Sequence, residues 1–215
     1  MSSLVLLVLL LVAPFAIEAQ TVSGHAASMP ENVNLRRILE RPDVIASMVT
    51  SMEEGDKTWI GMEIDVHATT AIPLQRLRTL LTDFSGYHQI LRRVTSSRVS
   101  GTTERGTLLS LEVTVRAMGV TVVTNYTILK EIIVDTPDRF HLSFTHFSDD
   151  NTIRNIHGYY YLEMVEIDGM PHTYIRYYAY QDSLQTNGLQ RQVTSMFIGS
   201  EHTRMLRDIL ALVRQ

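Results

Sequence analysis

The chain of 215 residues contains no cysteine. That excludes disulfides, thiolate metal sites, a cysteine nucleophile and lipidation on cysteine. Lysine is nearly absent: of 19 basic residues, two are Lys and the rest Arg. A formal charge of −4 excludes the basic surface that phosphate neutralisation needs, so no nucleic acid is expected as a partner. No Ser-His-Asp spacing, HExxH, P-loop or GxGxxG pattern is present. Accordingly, no catalytic residue, metal site or cofactor is assigned. The apolar run Leu4–Val12 is too short for a membrane span, which needs about 20 apolar residues.

What remains has the composition of a globular protein, 45% apolar and 20% charged. The length suits one domain, able to bury about 70% of its unfolded surface without a covalent staple. Residues 1–19 read as a secretory signal peptide: no charge precedes Glu18, Pro14 interrupts the apolar run, and Ala19 offers a small residue for cleavage. The expected location is exported, in the periplasm. The alternative is a membrane anchor formed by an uncleaved N-terminus, since Met1-Ser2-Ser3 carries no Lys or Arg.

Residues 20–58 read as a linker followed by an N-terminal helical extension. Its helical part covers Glu31–Glu54, with Val44, Ile45, Met48, Val49 and Met52 at helix-like spacing after Pro42. The domain proper, 59–215, opens with a strand at Trp59–Ala68, where Ile60, Met62, Ile64 and Val66 alternate with Glu63, Asp65 and His67. Helices follow at Ile72–Phe84 and Tyr87–Arg92. Six strands come next, at Ser96–Ser100, Thr107–Met118, Val120–Val134, Arg139–Phe147, Thr152–Glu166 and Thr173–Asp182. Leu189–Arg214 is a closing helix, with a kink expected at Gly199-Ser200. The fold class is therefore α+β, with a curved antiparallel seven-stranded sheet wrapped around a long C-terminal helix.

This order, with the segment LTDFSGYHQILRRVTSSRV (Leu81–Val99) and the pattern Gly158-x-Tyr160-x-Leu162 followed by Thr173-x-Ile175-x-Tyr177, resembles the START-like (SRPBCC) superfamily and its helix-grip fold. The nearer likeness is to the polyketide cyclase and coenzyme Q-binding branch. His88 and Arg92 stand where that branch prefers proline. The resemblance implies a hydrophobic pocket between sheet and C-terminal helix, holding a lipid, sterol, quinone or polyketide-like molecule.

Strand parity selects the lining. Leu109, Leu111, Val113 and Val115 share one face, as do Phe140, Leu142 and Phe144. Tyr126 lies on the more apolar face of its strand. Across the Asp168-Gly169 turn, Tyr160 and Leu162 fall beside Ile175 and Tyr177, while Tyr159, Tyr161, Tyr174, Tyr178 and Tyr180 face away. Val193, Met196 and Phe197 share a face of the last helix. These fifteen inner residues form the candidate ligand-binding set. The expected function is a binding or carrier protein for a hydrophobic small molecule. The alternative is a cyclase or dehydratase using Thr124, Tyr126, His146, Tyr160 and Tyr177 as acid–base groups. The arginines Arg76, Arg78, Arg92, Arg93, Arg98 and Arg105 read either as solvated surface charge or as a transient contact with an anionic membrane surface.

Overall fold

Alternation of apolar and polar residues in consecutive segments produces consecutive strands. The structure, a computed structural model, describes residues 27–117, 120–148, 152–185 and 190–213. The expected signal segment 1–19 lies outside the described residues, as do the side chains of Val115, Val193, Met196 and Phe197. Strands β1 (Asp43–Glu54) and β2 (Lys57–Thr70) precede α1 (Leu74–Thr82), a 3₁₀ turn at Phe84–Gly86 and α2 (Tyr87–Ile90). Six strands follow: β3 (Val94–Thr102), β4 (Thr107–Ala117), β5 (Val120–Asp135), β6 (Arg139–His146), β7 (Ile153–Ile167) and β8 (Met170–Leu184). Helix α3 (Gln190–Val213) ends the described chain. The strands form one antiparallel sheet in the order β1-β2-β8-β7-β6-β5-β4-β3.

Eight strands are present where seven were expected, because residues 43–54 form β1 and not a helix. Their apolar residues recur at helical spacing, but Val44, Ile45, Val49 and Thr50 are β-branched. The turn at Gly55, where φ is +62°, folds this segment back along β2. Pairing with β2 outweighs the local helical spacing. Residues 27–42, the earlier part of the supposed helical extension, form turns and an isolated bridge.

The β7–β8 hairpin follows the parity expected of it. Asp168 and Gly169 have φ of +55° and +75°, the conformation of a two-residue type I′ turn. Gly158 then pairs with Ala179, Tyr160 with Tyr177 and Leu162 with Ile175. Helix α3 continues through Gly199-Ser200, so the chain does not break there. It packs against β1, β2, α1 and α2.

Both faces of the sheet are covered. On the inner face Leu77, Leu81, Tyr87, Leu206 and Ile209 pack on Ile64, Val66, Leu109, Phe140 and Leu142. On the outer face Ile38 joins Tyr159, Tyr161, Tyr174 and Tyr178 in a second cluster. Strand β2, expected to be half-buried, is therefore buried on both sides over Ile64–Thr70.

Candidate functional site

Every inner-face candidate whose side chain is described joins the same core cluster: Leu109, Leu111, Val113, Tyr126, Phe140, Leu142, Phe144, Tyr160, Leu162, Ile175 and Tyr177. They do not all play one part. Leu109, Phe140, Leu142 and Leu162 have 0% exposure, so their part of the face is filled core. Val113, Tyr126, Met62 and Ala179 are only partly buried and keep accessible surface on that face.

Between these regions lies a residue the parity argument passed over. Lys130 follows Tyr126 and Ile128 on the inward side of β5 and is 4% exposed. Its Nζ lies 4.6 Å from the Phe144 ring centroid, 5.0 Å from that of Tyr87 and 5.5 Å from that of Tyr160. The rings are themselves packed together. Tyr160 and Tyr177 are 4.9 Å apart, Phe144 stacks on Tyr177 at 6.3 Å, and His202 of α3 stacks on Tyr177 at 5.7 Å. Gly158 makes this wall possible. A Cβ there would lie 2.5 Å from the Phe144 ring and 2.2 Å from the Tyr178 carbonyl oxygen. The signal for Lys130 was in the sequence: it is one of two lysines, and it continues the inward parity of Tyr126 and Ile128.

The electrostatics follow from burial. Removal from water favours the neutral amine and pulls the Lys130 pKa down to about 7. Burial pushes the phenol of Tyr126 up to about 12 and those of Tyr160 and Tyr177 well above the usual range. All three phenols stay protonated at physiological pH and act as hydrogen-bond donors, not bases. Tyr87 donates its hydroxyl to the Leu81 carbonyl at 2.6 Å. For Lys130, Tyr126, Tyr160 and Tyr177 no side-chain hydrogen-bond partner is found among the described residues. His146, at the end of β6, lies 3.0 Å from the Ser148 hydroxyl. Among the described residues no group of acidic and histidine side chains has the arrangement of a metal site.

A second polar cluster lies on the outer face. Arg176 makes two bonds to Asp65, at 2.8 and 3.1 Å, and a third to the Ser28 carbonyl at 3.0 Å. The His67 ring sits between Asp65 (3.0 Å at Nε2) and the Tyr174 hydroxyl (2.9 Å at Nδ1). Burial alone would raise the Asp65 carboxyl, but hydrogen bonds and charge from His67 and Arg176 outweigh it and hold it below its usual range. The linear Tyr-His-Asp order resembles a proton relay, yet none of these residues is more than 5% exposed. Through Arg176 and the Ser28 carbonyl the cluster ties the start of the described chain to the sheet. The other outward tyrosines form the expected cross-strand pairs, Tyr159 stacking on Tyr178 at 5.5 Å.

Two surface clefts of about 360 and 340 Å³ flank the C-terminal half of α3, bordered by Ile90, Arg92 and Asp208 and by Arg76, Leu80 and Val213. Neither is lined by a residue of the aromatic wall.

No protein-family model matches the sequence, and no curated protein matches it. Solved structures do resemble it. Human StAR-related lipid transfer protein 5 aligns over 78% of this chain and 86% of its own, with a TM-score of 0.59 and 12% identity. The fold is START-like. A STAR-related lipid transfer protein from Xanthomonas axonopodis gives 0.56 at 11% identity, over 78% of this chain and 99% of that one. The Zhui aromatase/cyclase from Streptomyces sp. R1128 gives 0.54 at 13% identity, over 72% and 94%. In this START-like fold, as in the arrangement expected of it, helices stand on one face of an open antiparallel sheet.

Proposed function

We propose that this chain is an exported binding or carrier protein for a hydrophobic small molecule, a lipid, sterol, quinone or polyketide-like compound held between the inner face of the sheet and α3. One observation carries the reading. Lys130 and the hydroxyls of Tyr126, Tyr160 and Tyr177 face into an apolar interior without partners among the described residues. The buried side-chain polar atoms that lack a partner lie elsewhere, at Trp59, His141 and Tyr159 among others, so this amine and these phenols are not sealed into the core and stay available to a guest. A guest with an apolar body and one polar end supplies the missing partner. Each CH₂ it buries contributes roughly 0.8 kcal/mol. The names of the similar structures, lipid transfer proteins and an aromatase/cyclase, agree with a guest of this kind.

The cyclase or dehydratase reading draws on the same inward phenols, which as protonated donors would act on a bound carbonyl. Tyr160→Phe and Tyr177→Phe separate the two. Loss of turnover with retained binding supports the enzyme; graded loss of affinity supports the carrier. Delivery at an anionic membrane surface is part of the proposal. Arg78 and Arg105 are ion-paired with Asp135 and Glu131, while Arg76, Arg92 and Arg98 are exposed and suited to that contact. Native mass spectrometry of protein purified from its own periplasm, followed by lipid extraction, tests the main reading. A co-purifying hydrophobe is expected. Its absence, with no uptake of fluorescent lipid probes, would overturn the proposal.

A further inference from the structure

Three ring faces converge on the Lys130 ammonium, and among the described residues no carboxylate does. The acidic side chains of the neighbouring segments are engaged elsewhere. Asp83 accepts the Gly86 amide at 3.1 Å, Glu112 accepts the Thr95 hydroxyl at 2.5 Å, and Glu131 accepts two bonds from Arg105 at 2.9 and 3.0 Å. Ring faces hold a cation in place but do not neutralise it. Around the ammonium stand Tyr126, Tyr160 and Tyr177, whose phenols interact electrostatically with one another. The ammonium can only donate, and each protonated phenol has an O–H to give; with no counter-ion for Lys130 among the described residues, the complementary ligand atom is a negatively charged acceptor.

We propose that the guest carries an acidic head, a carboxylate, which ion-pairs with Lys130 at the aromatic wall while its apolar body lies on the inner face. The protein then selects anionic amphiphiles over neutral lipids. This rests on the hydrophobic-guest reading and narrows it. A neutral lipid would fill the same space but leave a buried amine without a counter-ion, the arrangement that costs most in an apolar interior. A carboxylate bound there also draws a proton onto Lys130, so the preference for acids weakens as pH rises above 7. The titratable groups facing Lys130 are Tyr126 on its own strand, Tyr87 on α2, His146 on β6, Tyr160 on β7, Tyr177 on β8 and His202 on α3. The phenols, pushed up by burial, remain protonated between pH 7.5 and 9.5, while Lys130, pulled down to about 7, is the group whose charge a bound carboxylate changes.

The test uses the full 215-residue chain and two matched probe sets. One is palmitic acid, methyl palmitate and hexadecanol; the other is pyrenebutyric acid and pyrenebutanol. Binding is read by displacement of a neutral dye and by pyrene emission. The acids are expected to bind roughly tenfold or more tightly than their neutral analogues at pH 7, with the margin shrinking toward pH 9.5. In Lys130→Met and Lys130→Gln that margin and its pH dependence should vanish while the neutral analogues still bind. Equal binding of acids and neutral analogues, or a preference unchanged in both variants, overturns the acidic-head inference and leaves the carrier reading standing. Failure of every probe to bind overturns both.

Discussion

At the scale of single residues, Lys130 shows how a site differs from a core. Its amine is displaced from 10.5 to about 7 by burial, at a cost on the order of 1.4 kcal/mol per unit. Because the folded-state value lies below the unfolded one, the unfolded chain binds the extra proton between about pH 7 and 10.5. Stability of the empty protein should therefore rise with pH across that window. Lys130→Met removes the penalty. It is expected to raise stability by about 2–4 kcal/mol at pH 6, with the gain fading toward pH 10. Thermal denaturation of both proteins at several pH values checks this, and a variant less stable than the parent at pH 6 would contradict the buried placement. Parity places Lys130 inward from sequence alone, yet a charged residue on an apolar face also reads as the end of that face. Only the rings of Tyr87, Phe144 and Tyr160, drawn from three separate elements, reveal why a lysine can stay there.

At the scale of elements, what could be read depended on whether the deciding contacts were local. The β7–β8 hairpin was legible because its turn residues and alternation sit within one short stretch. β1 was not, since its pairing with β2 competes with an equally good helical spacing and sequence offers no arbiter. Nor was the cover that residues 27–42 lay over the outer tyrosines. It depends on Ser28 meeting Arg176, Arg36 meeting Asp168, and the amide of Thr69 donating to the Ile38 carbonyl at 3.0 Å. This cover is fastened electrostatically. Arg176→Met strands the buried Asp65 charge and should cost about 3–5 kcal/mol. It should also raise hydrogen exchange in residues 27–42 before the rest of the sheet opens. In the parent, Asp65 titrates lower folded than unfolded, so its contribution is present at neutral pH and is lost as pH falls below about 4. Acid denaturation should therefore be less steep in Arg176→Met than in the parent; identical acid profiles would show that Asp65 is not held by this pair.

Taken as a whole molecule, the two sides of the sheet do opposite jobs. The outer side is closed by tyrosine stacking, a satisfied ion pair and a backbone strap, which fixes the strands against one another. The inner side is packed solid around Phe140 and Leu162 but keeps accessible surface at Val113, Tyr126 and Ala179 and an uncompensated amine at Lys130. A sheet held from behind can accept a guest in front without rearranging, so binding should appear as added stability and not as a change of fold. Mass action sets the size: a ligand at one hundred times its Kd contributes about 2.7 kcal/mol, or roughly 5–11 °C in Tm for a domain of this length. Stripping co-purified lipid should lower Tm by that order, and returning palmitic acid at pH 6.5 should restore it in proportion to the logarithm of its concentration. Circular dichroism should stay unchanged throughout. Hexadecanol should restore less, because it leaves the Lys130 ammonium without its partner. A Tm that ignores both lipids would mean that the inner face closes on itself, its polar groups satisfied without a guest.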